Sequence, residues 1–160
     1  MHKQFQIQFE EYDSAEGLPK EDAALLDLAR NVTKDAYAPY SRFRVGAAAR
    51  LSNGQIVTGT NQENASFPAG ICAERTLLSV AASLCPGVPI ESLAVSYDSE
   101  RGASDRPISP CGICRQSLQE FEQRTGRSMR IILAGQSGKV LVLEGSATLL
   151  PFAFSSDELR

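Results

Sequence analysis

This chain has no tryptophan, one histidine (His2) and two methionines, and aromatic side chains make up only 7% of it. A groove that stacks successive bases needs more aromatic platforms than that. Sixteen basic against nineteen acidic residues leave a net charge of −3, which gives no general attraction to a polyanion. A long nucleic acid is therefore a poor partner. The lone histidine lies beside a chain end, where side chains seldom receive the support that acid–base work requires, so mechanisms built on a histidine base are disfavoured. Long apolar runs are missing too: Leu149 to Phe154 is among the longest, far short of the about 18 residues of a membrane span. The first residues, Met1-His2-Lys3-Gln4-Phe5, lack the apolar core of a secretory signal and the arginine-rich character of a transit peptide. The expected compartment is the cytosol, with no membrane partner.

The 42% hydrophobic and 22% charged residues are those of a globular chain. Its 160 residues bury about 70% of the unfolded surface, enough for one domain without a disulfide scaffold. A single domain spanning 1–160 is expected, in which residues 1–20 form an N-terminal extension.

Within that extension Phe5, Ile7 and Phe9 alternate with glutamines, the period of a half-buried strand, so a short edge strand is expected there. After a turn-rich stretch, Ala24, Leu25, Leu28, Ala29 and Val32 recur at helical spacing and predict a helix from about Glu21 to Ala36. Pro39 ends it. Two apolar stretches, Phe43 to Leu51 and Gln55 to Asn61, flank Asn53-Gly54, a hairpin signal that predicts an antiparallel pair. Cys72 to Leu84 reads as a helix stopped by Cys85-Pro86-Gly87, Ile90 to Tyr97 as a strand and Cys111 to Arg124 as a helix entered through Ser109-Pro110. Arg130 to Ala134 and Val140 to Leu143 complete the strands. Strands mixed with three helices over this length imply an α/β domain with a central sheet covered by helices.

Four cysteines in a chain of this kind are read as metal ligands, catalytic groups or buried apolar residues before disulfides. Cys111 and Cys114 stand at i and i+3, neighbours on one helical face. An isolated Cys-x-x-Cys is equally a redox pair or a structural knuckle. Cys72, however, also opens a predicted helix, and a helix N-terminus favours thiolate, the form that binds zinc. Three ligands without a fourth describe a catalytic zinc site, which leaves one position to water or substrate. Cys85 is thirteen positions beyond Cys72, about 20 Å along the same helix, and reads as a small buried residue. Glu74, alone, would be an acidic residue complementing a helix dipole. Between Cys72 and the Pro110-Cys111-x-x-Cys114 pattern it completes the order of ligand, spacer, carboxylate and Pro-Cys-x-x-Cys seen in zinc deaminases, where the glutamate moves protons and is no ligand.

On these residues the chain resembles the cytidine deaminases, in their short three-cysteine form. The likeness extends through Tyr40-Ser41-x-Phe43-x-Val45-Gly46-Ala47-Ala48, Asn61-x-Glu63-Asn64-Ala65-Ser66, Cys72-Ala73-Glu74-Arg75-Thr76, Pro110-Cys111-Gly112-x-Cys114-Arg115-Gln116 and Leu149-Leu150-Pro151-x-x-Phe154. About three quarters of the chain is covered. The resemblance implies a three-layer fold, a central five-stranded mixed sheet with helices on both faces, and one Zn²⁺ per chain held by Cys72, Cys111 and Cys114. It implies that Glu74 takes a proton from a zinc-activated water, passes it to N3 and helps ammonia leave as the oxygen adds to C4 of the pyrimidine. Cytidine and 2′-deoxycytidine would give uridine and 2′-deoxyuridine, in pyrimidine salvage.

The same resemblance assigns Ala73 to the amide edge of the base through its backbone, Ser109 to the departing amino group through its carbonyl and Phe43 to packing on the nucleoside. Asn61 and Glu63 would bind the ribose, and a carboxylate there repels phosphate, so free nucleosides should be preferred to CMP. Arg75 would hydrogen-bond ligand sulfurs and offset the charge of three thiolates. Phe154 would enter a neighbouring subunit's pocket in a homotetramer. The extension before Lys20 departs from the short form, and Phe67-Pro68-Ala69-Gly70 varies in relatives and is expected to shape the pocket wall. Competing readings are a non-catalytic zinc module, which has no use for Glu74; a deaminase of RNA or DNA, which needs basic grooves; and a deaminase of another aminopyrimidine nucleoside such as blasticidin S.

Overall fold

The structure, a computed structural model, describes residues 1–159. Six strands form one mixed sheet in the order β1-β6-β5-β4-β2-β3: β1 (Glu10–Tyr12), β2 (Phe43–Leu51), β3 (Ile56–Thr60), β4 (Ile90–Ser99), β5 (Arg130–Ala134) and β6 (Val140–Glu144). Only β4 and β5 run parallel; every other pairing is antiparallel. A parallel neighbour requires a crossover, here the helix α3 (Gly112–Thr125). The other two helices are α1 (Lys20–Val32) and α2 (Ala73–Leu84). None is long and apolar enough to cross a membrane.

Alternation along the strands sends side chains to two cores. Ala48, Ala94, Ile132 and Val142 meet Leu25, Leu26 and Ala29 of α1 on one face. Ala47, Ala49, Leu93, Val95 and Ile131 meet Leu77 and Ala81 of α2 and Leu118 and Phe121 of α3 on the other. The result is the expected three-layer α/β architecture. The hairpin falls where Asn53-Gly54 predicts it, with Gly54 at φ 84° and Ala49 paired to Val57. The first helix is shorter than expected: it ends at Val32 and tightens into a 3-10 turn over Thr33–Asp35.

Two expectations are corrected. The sheet has six strands, not five, because β1 adds to the free edge of β6. That strand lies at Glu10–Tyr12 rather than Phe5–Phe9. Glu10 pairs with Val142 and the ladder stops there: this register would set Phe9 opposite Leu143 and Gln8 opposite Glu144, but neither joins the strand, and residues before Gln8 lie beyond the end of β6 at Glu144. What holds β1 is charge as well as backbone. Arg130 on β5 donates to Asp22 of α1 at 2.9 Å, to Glu10 at 3.1 Å and to Glu144. Asp22 is buried, and a buried carboxylate with a charged donor is a costly one to orphan.

One contact between layers sets the position of α2. A Cβ added to Gly59 of β3 would lie 2.5 Å from the Leu77 nitrogen and 2.6 Å from the Ala73 carbonyl oxygen. Only glycine lets the first two turns of α2 sit this close to the sheet, and those turns carry Glu74.

Candidate active site

The N-termini of α2 and α3 converge at one end of the sheet. Cys72 caps α2, Cys111 caps α3, and Cys114 lies in the first turn of α3. The Sγ atoms of Cys72 and Cys111 are 3.7 Å apart and those of Cys111 and Cys114 are 3.4 Å apart, with all three within 4.8 Å of one another. A tetrahedral zinc with Zn–S bonds near 2.3 Å needs sulfur edges of about 3.8 Å, so the cradle is of the right size for the ion, with the Cys111–Cys114 edge opening by a few tenths of an ångström. Among the described residues no fourth His, Cys, Asp or Glu joins the group. That leaves a coordination position for water or substrate.

The sulfurs are also electrostatically primed. Cys72 is lowered to about 6, first by hydrogen bonding from Cys114, then from Cys111, and by the Arg75 charge, while burial opposes the shift. Cys114 moves the other way, since it is the thiol that keeps its proton beside the Cys72 thiolate. Glu74 is buried, 5% exposed. Burial raises its carboxyl above the ordinary range and the charge at Cys72 adds to this, while hydrogen bonding at its own backbone and from Cys114 partly offsets the rise. A carboxyl that holds its proton more tightly than in water, set against the metal cradle, is the arrangement expected of a proton carrier.

Beside the cradle is a cavity of about 320 Å³ whose wall includes Phe43, Asn61, Glu63, Ala73, Glu74 and Ser109. That volume lies at the small end of the range for ligand pockets. Every cavity-facing residue suggested by the sequence thus reaches one space, although their chemistry here is more specific than their type implies. Phe43 stacks on Tyr97, with ring centroids 4.9 Å apart and planes at 17°. Asn61 clamps the start of β2: its Oδ1 accepts from the Val45 N–H at 2.7 Å and its Nδ2 donates to the Phe43 carbonyl at 2.9 Å. An amide has two donor hydrogens and two lone pairs, so one of each remains. The Glu63 carboxylate accepts from the backbone N–H groups of Tyr40 at 2.8 Å and Ser41 at 3.2 Å; hydrogen bonding by the Ser41 side chain first, and then these backbone bonds, hold it below the usual carboxylate range against the opposing effect of burial. Arg42, at φ 55°, reverses the chain after those two donors and delivers it into β2.

Other expectations fare differently. Arg75 lowers Cys72 through its charge, but makes no hydrogen bond to a sulfur among the described residues; its side chain lines a groove between α2 and α3. Phe154 is 58% exposed and outside the cavity. Cys85 is buried and donates to Gln55 Oε1 at 2.7 Å, far from the cradle along α2. Phe67 is exposed and meets Tyr40 edge to face at 5.8 Å, while Gly70 lines the cavity.

Sequence reasoning gave no role to Arg115 and Gln116, which follow the last ligand. Arg115 donates to the Pro110 carbonyl and to the Leu149 carbonyl, both at 2.8 Å. Gln116 donates to the Phe154 carbonyl at 2.9 Å. The first turn of α3 therefore carries two sulfurs inward and holds the C-terminal tail outward. Long-range bonds from side chains to backbone leave no periodic signal, and only their adjacency to the motif hinted at them.

Residues 19–127 match the family model described as the cytidine and deoxycytidylate deaminase zinc-binding region. The chain belongs to this family. It is 39% identical over 136 residues to a cytidine deaminase of Sporosarcina psychrophila, covering 84% of this chain and 92% of that protein. Against the cytidine deaminase of Halalkalibacterium halodurans the identity is 36%, over 85% and 96% of the two chains. The crystal structure of cytidine deaminase from Burkholderia pseudomallei superposes with a TM-score of 0.72 at 35% identity, covering 86% of this chain and 100% of that one. For the Mycobacterium tuberculosis enzyme the TM-score is 0.63 at 32% identity, with coverage of 82% and 95%. Zinc is the metal of this deaminase family, and the three-cysteine cradle is where this member can hold it.

Proposed function

We propose that this chain catalyses the hydrolytic deamination of cytidine and 2′-deoxycytidine to the uridines, with release of ammonia. The observation that carries the reading is the buried Glu74 carboxyl beside a three-sulfur cradle that has no fourth protein ligand.

Cys72, Cys111 and Cys114 would hold zinc, whose contribution when bound is Lewis-acid activation of a water molecule. The remaining work falls to the chain itself. Glu74 accepts the proton of the attacking water and delivers it to ring N3, and the C4–O bond forms. It then takes the proton of the hydroxyl added at C4 and gives it to the amino group, so that the C4–N bond breaks, C4 becomes a carbonyl and nitrogen leaves as ammonia. Its raised proton affinity serves both halves of the shuttle. Ala73, at the head of α2, and Ser109, just before Cys111, offer backbone groups to the edge of the base. Phe43, held flat by Tyr97, closes one side and excludes water. Asn61 and Glu63 face the sugar with the hydrogen-bonding capacity that the backbone leaves them.

The family includes enzymes for nucleosides and for deoxycytidylate, and charge decides between them. The cavity wall carries the Glu63 carboxylate beside the sugar position and no Lys or Arg side chain. A phosphate entering it would meet repulsion without compensation, which favours the free nucleoside. Thiolate ligands require a reducing compartment, in keeping with pyrimidine salvage in the cytosol. The exposed Phe154 on its anchored tail fits a homotetramer in which this ring completes a neighbour's pocket.

The test is an ammonia-release and ultraviolet assay of zinc-loaded protein on cytidine, 2′-deoxycytidine and CMP. Turnover of both nucleosides is expected, with kcat/KM for CMP lower by at least about tenfold. Glu74→Gln should keep its zinc and lose about 10²- to 10⁴-fold in kcat, the usual range for a general acid–base group. An inert zinc-loaded wild type, or equal use of CMP, overturns the reading.

A further inference from the structure

Residues 1–18 precede the match to the family model, and nothing in the catalytic reading uses them. Within this stretch β1 is an edge strand whose inner side pairs with β6, and among the described residues its outer side pairs with nothing. Upstream of β1, residues 1–9 belong to no element. Phe5, Ile7 and Phe9 are 55%, 47% and 58% exposed, with the Phe5 ring meeting Phe152 at 6.2 Å, and alternation places these three large apolar side chains on one side wherever the segment is extended. A free edge with an apolar row is a template for another strand.

The segment from Lys3 to Glu11 reads Lys-Gln-Phe-Gln-Ile-Gln-Phe-Glu-Glu, basic at one end and acidic at the other. We propose that two copies of the chain pair antiparallel through residues 3–11 about a two-fold axis at Ile7, joining their six-stranded sheets edge to edge. In this register Lys3 faces Glu11, Gln4 faces Glu10, Phe5 faces Phe9, Gln6 faces Gln8 and Ile7 faces its own copy. Directly opposed side chains share a face, so the apolar row of one copy lies against that of the other. Neighbouring registers lose this match. A slip of one residue sets each apolar side chain against a glutamine or an acid, and a slip of two places Phe9 opposite Lys3 or Phe5 opposite Glu11. Parallel pairing stacks Lys3 on Lys3 and the glutamates on each other. Self-complementarity across a two-fold is what a closed dimer contact needs.

The local structure accommodates the contact. Glu11 is opposite Leu141 in the sheet while Glu10 and Tyr12 are opposite Val142 and Val140. Extended through residues 3–11 in the proposed pair, the segment would carry its odd residues on the Glu11 and Leu141 side, opposite the side from which Arg130 engages Glu10. Lys3 makes no ion pair among the described residues, and Glu11 has only Lys139, which leaves carboxylate lone pairs for a second cation.

The register is testable by cross-linking. Opposed residues in an antiparallel pair have Cα atoms about 4.5–5.5 Å apart, inside the span of a disulfide, whereas two copies of Phe5 lie about 13 Å apart along the strands. Zinc-loaded Ile7→Cys should form a disulfide-linked dimer under mild oxidation, above the wild-type background, and Phe5→Cys should not. In sedimentation at matched concentration, Ile7→Lys and a chain lacking residues 1–9 should both form smaller species than the full chain, with cytidine turnover retained as proof of folding. The proposal is overturned if Ile7→Cys links no better than Phe5→Cys, if Ile7→Lys sediments like wild type, or if association grows without limit as concentration rises.

Discussion

Glu74 and Arg75 are adjacent in the chain and are set opposite tasks by the helix that carries them. Glu74 is buried beside the cradle and has its proton affinity raised by that burial; Arg75 turns to the groove between α2 and α3 and acts on Cys72 as a charge. Three thiolates around a divalent ion leave a net negative centre, a weaker Lewis acid than one with neutral ligands. A guanidinium alongside draws that charge off. Arg75→Gln is expected to keep its fold and zinc and to lose about ten- to a hundredfold in kcat, the usual effect of groups just outside a metal's ligand set. Unchanged kcat at unchanged zinc content refutes the role. Glu63 makes a second prediction, with a sign fixed by its depressed carboxyl. Its bonds to Tyr40 and Ser41 stabilise the fold above the carboxylate's unfolded range and are lost as pH falls through its lower folded value. The Tm difference between wild type and Glu63→Gln should therefore be larger at pH 7 than at pH 3, and a pH-independent difference would falsify it. Residue identities at the site were legible because ligand chemistry restricts residue types to very few. What Asn61 and Glu63 bond to was not, since an amide and a carboxylate can serve backbone or sugar equally well.

At the scale of elements, the helices that bear the ligands are placed by their packing and not by their caps. Neither Cys72 nor Cys111 gives its helix a side-chain capping bond, so the usual capping stabilisation of about 1 kcal/mol is forgone where a sulfur must face a metal. Contact with the sheet compensates. For α2 the closest contact is Gly59, over which the Ala73 carbonyl and the Leu77 nitrogen lie within 2.6 Å of where a Cβ would stand. Gly59→Ala must push the helix away, which is expected to cost about 3 kcal/mol and lower Tm by roughly 10 °C. Because Glu74 and Cys72 move with α2, zinc affinity should fall as well. A Tm within 2–3 °C of wild type with full zinc retention counts against this account. Most elements were readable from periodicity, the Asn53-Gly54 hairpin and the Pro110 helix start among them. The exception, the first strand, shows why the rest was hidden: alternation marks Phe5 to Phe9 as a strand, but which residues pair is decided by the distant partner β6 and by the Arg130 ion pairs that hold Glu10, and no local pattern encodes either.

The molecule as a whole links its metal cradle to its tail through consecutive residues of α3. Cys114 faces the cradle, Arg115 grips the Leu149 carbonyl and Gln116 grips the Phe154 carbonyl. The tail is thereby held at the surface with the Phe154 ring exposed, and its own cavity is left without that ring. A large aromatic fixed at its backbone and bare at its side chain is poorly explained within one copy and well explained if it fills a neighbour's pocket. Complementation separates the two cases. Phe154→Ala should raise KM for cytidine and lower kcat/KM, while Glu74→Gln abolishes turnover. If each site draws Glu74 from one copy and Phe154 from another, dissociating and reassembling an equal mixture of the two variants regenerates complete sites. About half the sites carry Glu74 and about half of those face an intact Phe154, so up to about a quarter of wild-type kcat/KM should return. If each copy uses only its own residues, the reassembled mixture shows no more than the mean of the two separate variants, and the shared site is excluded.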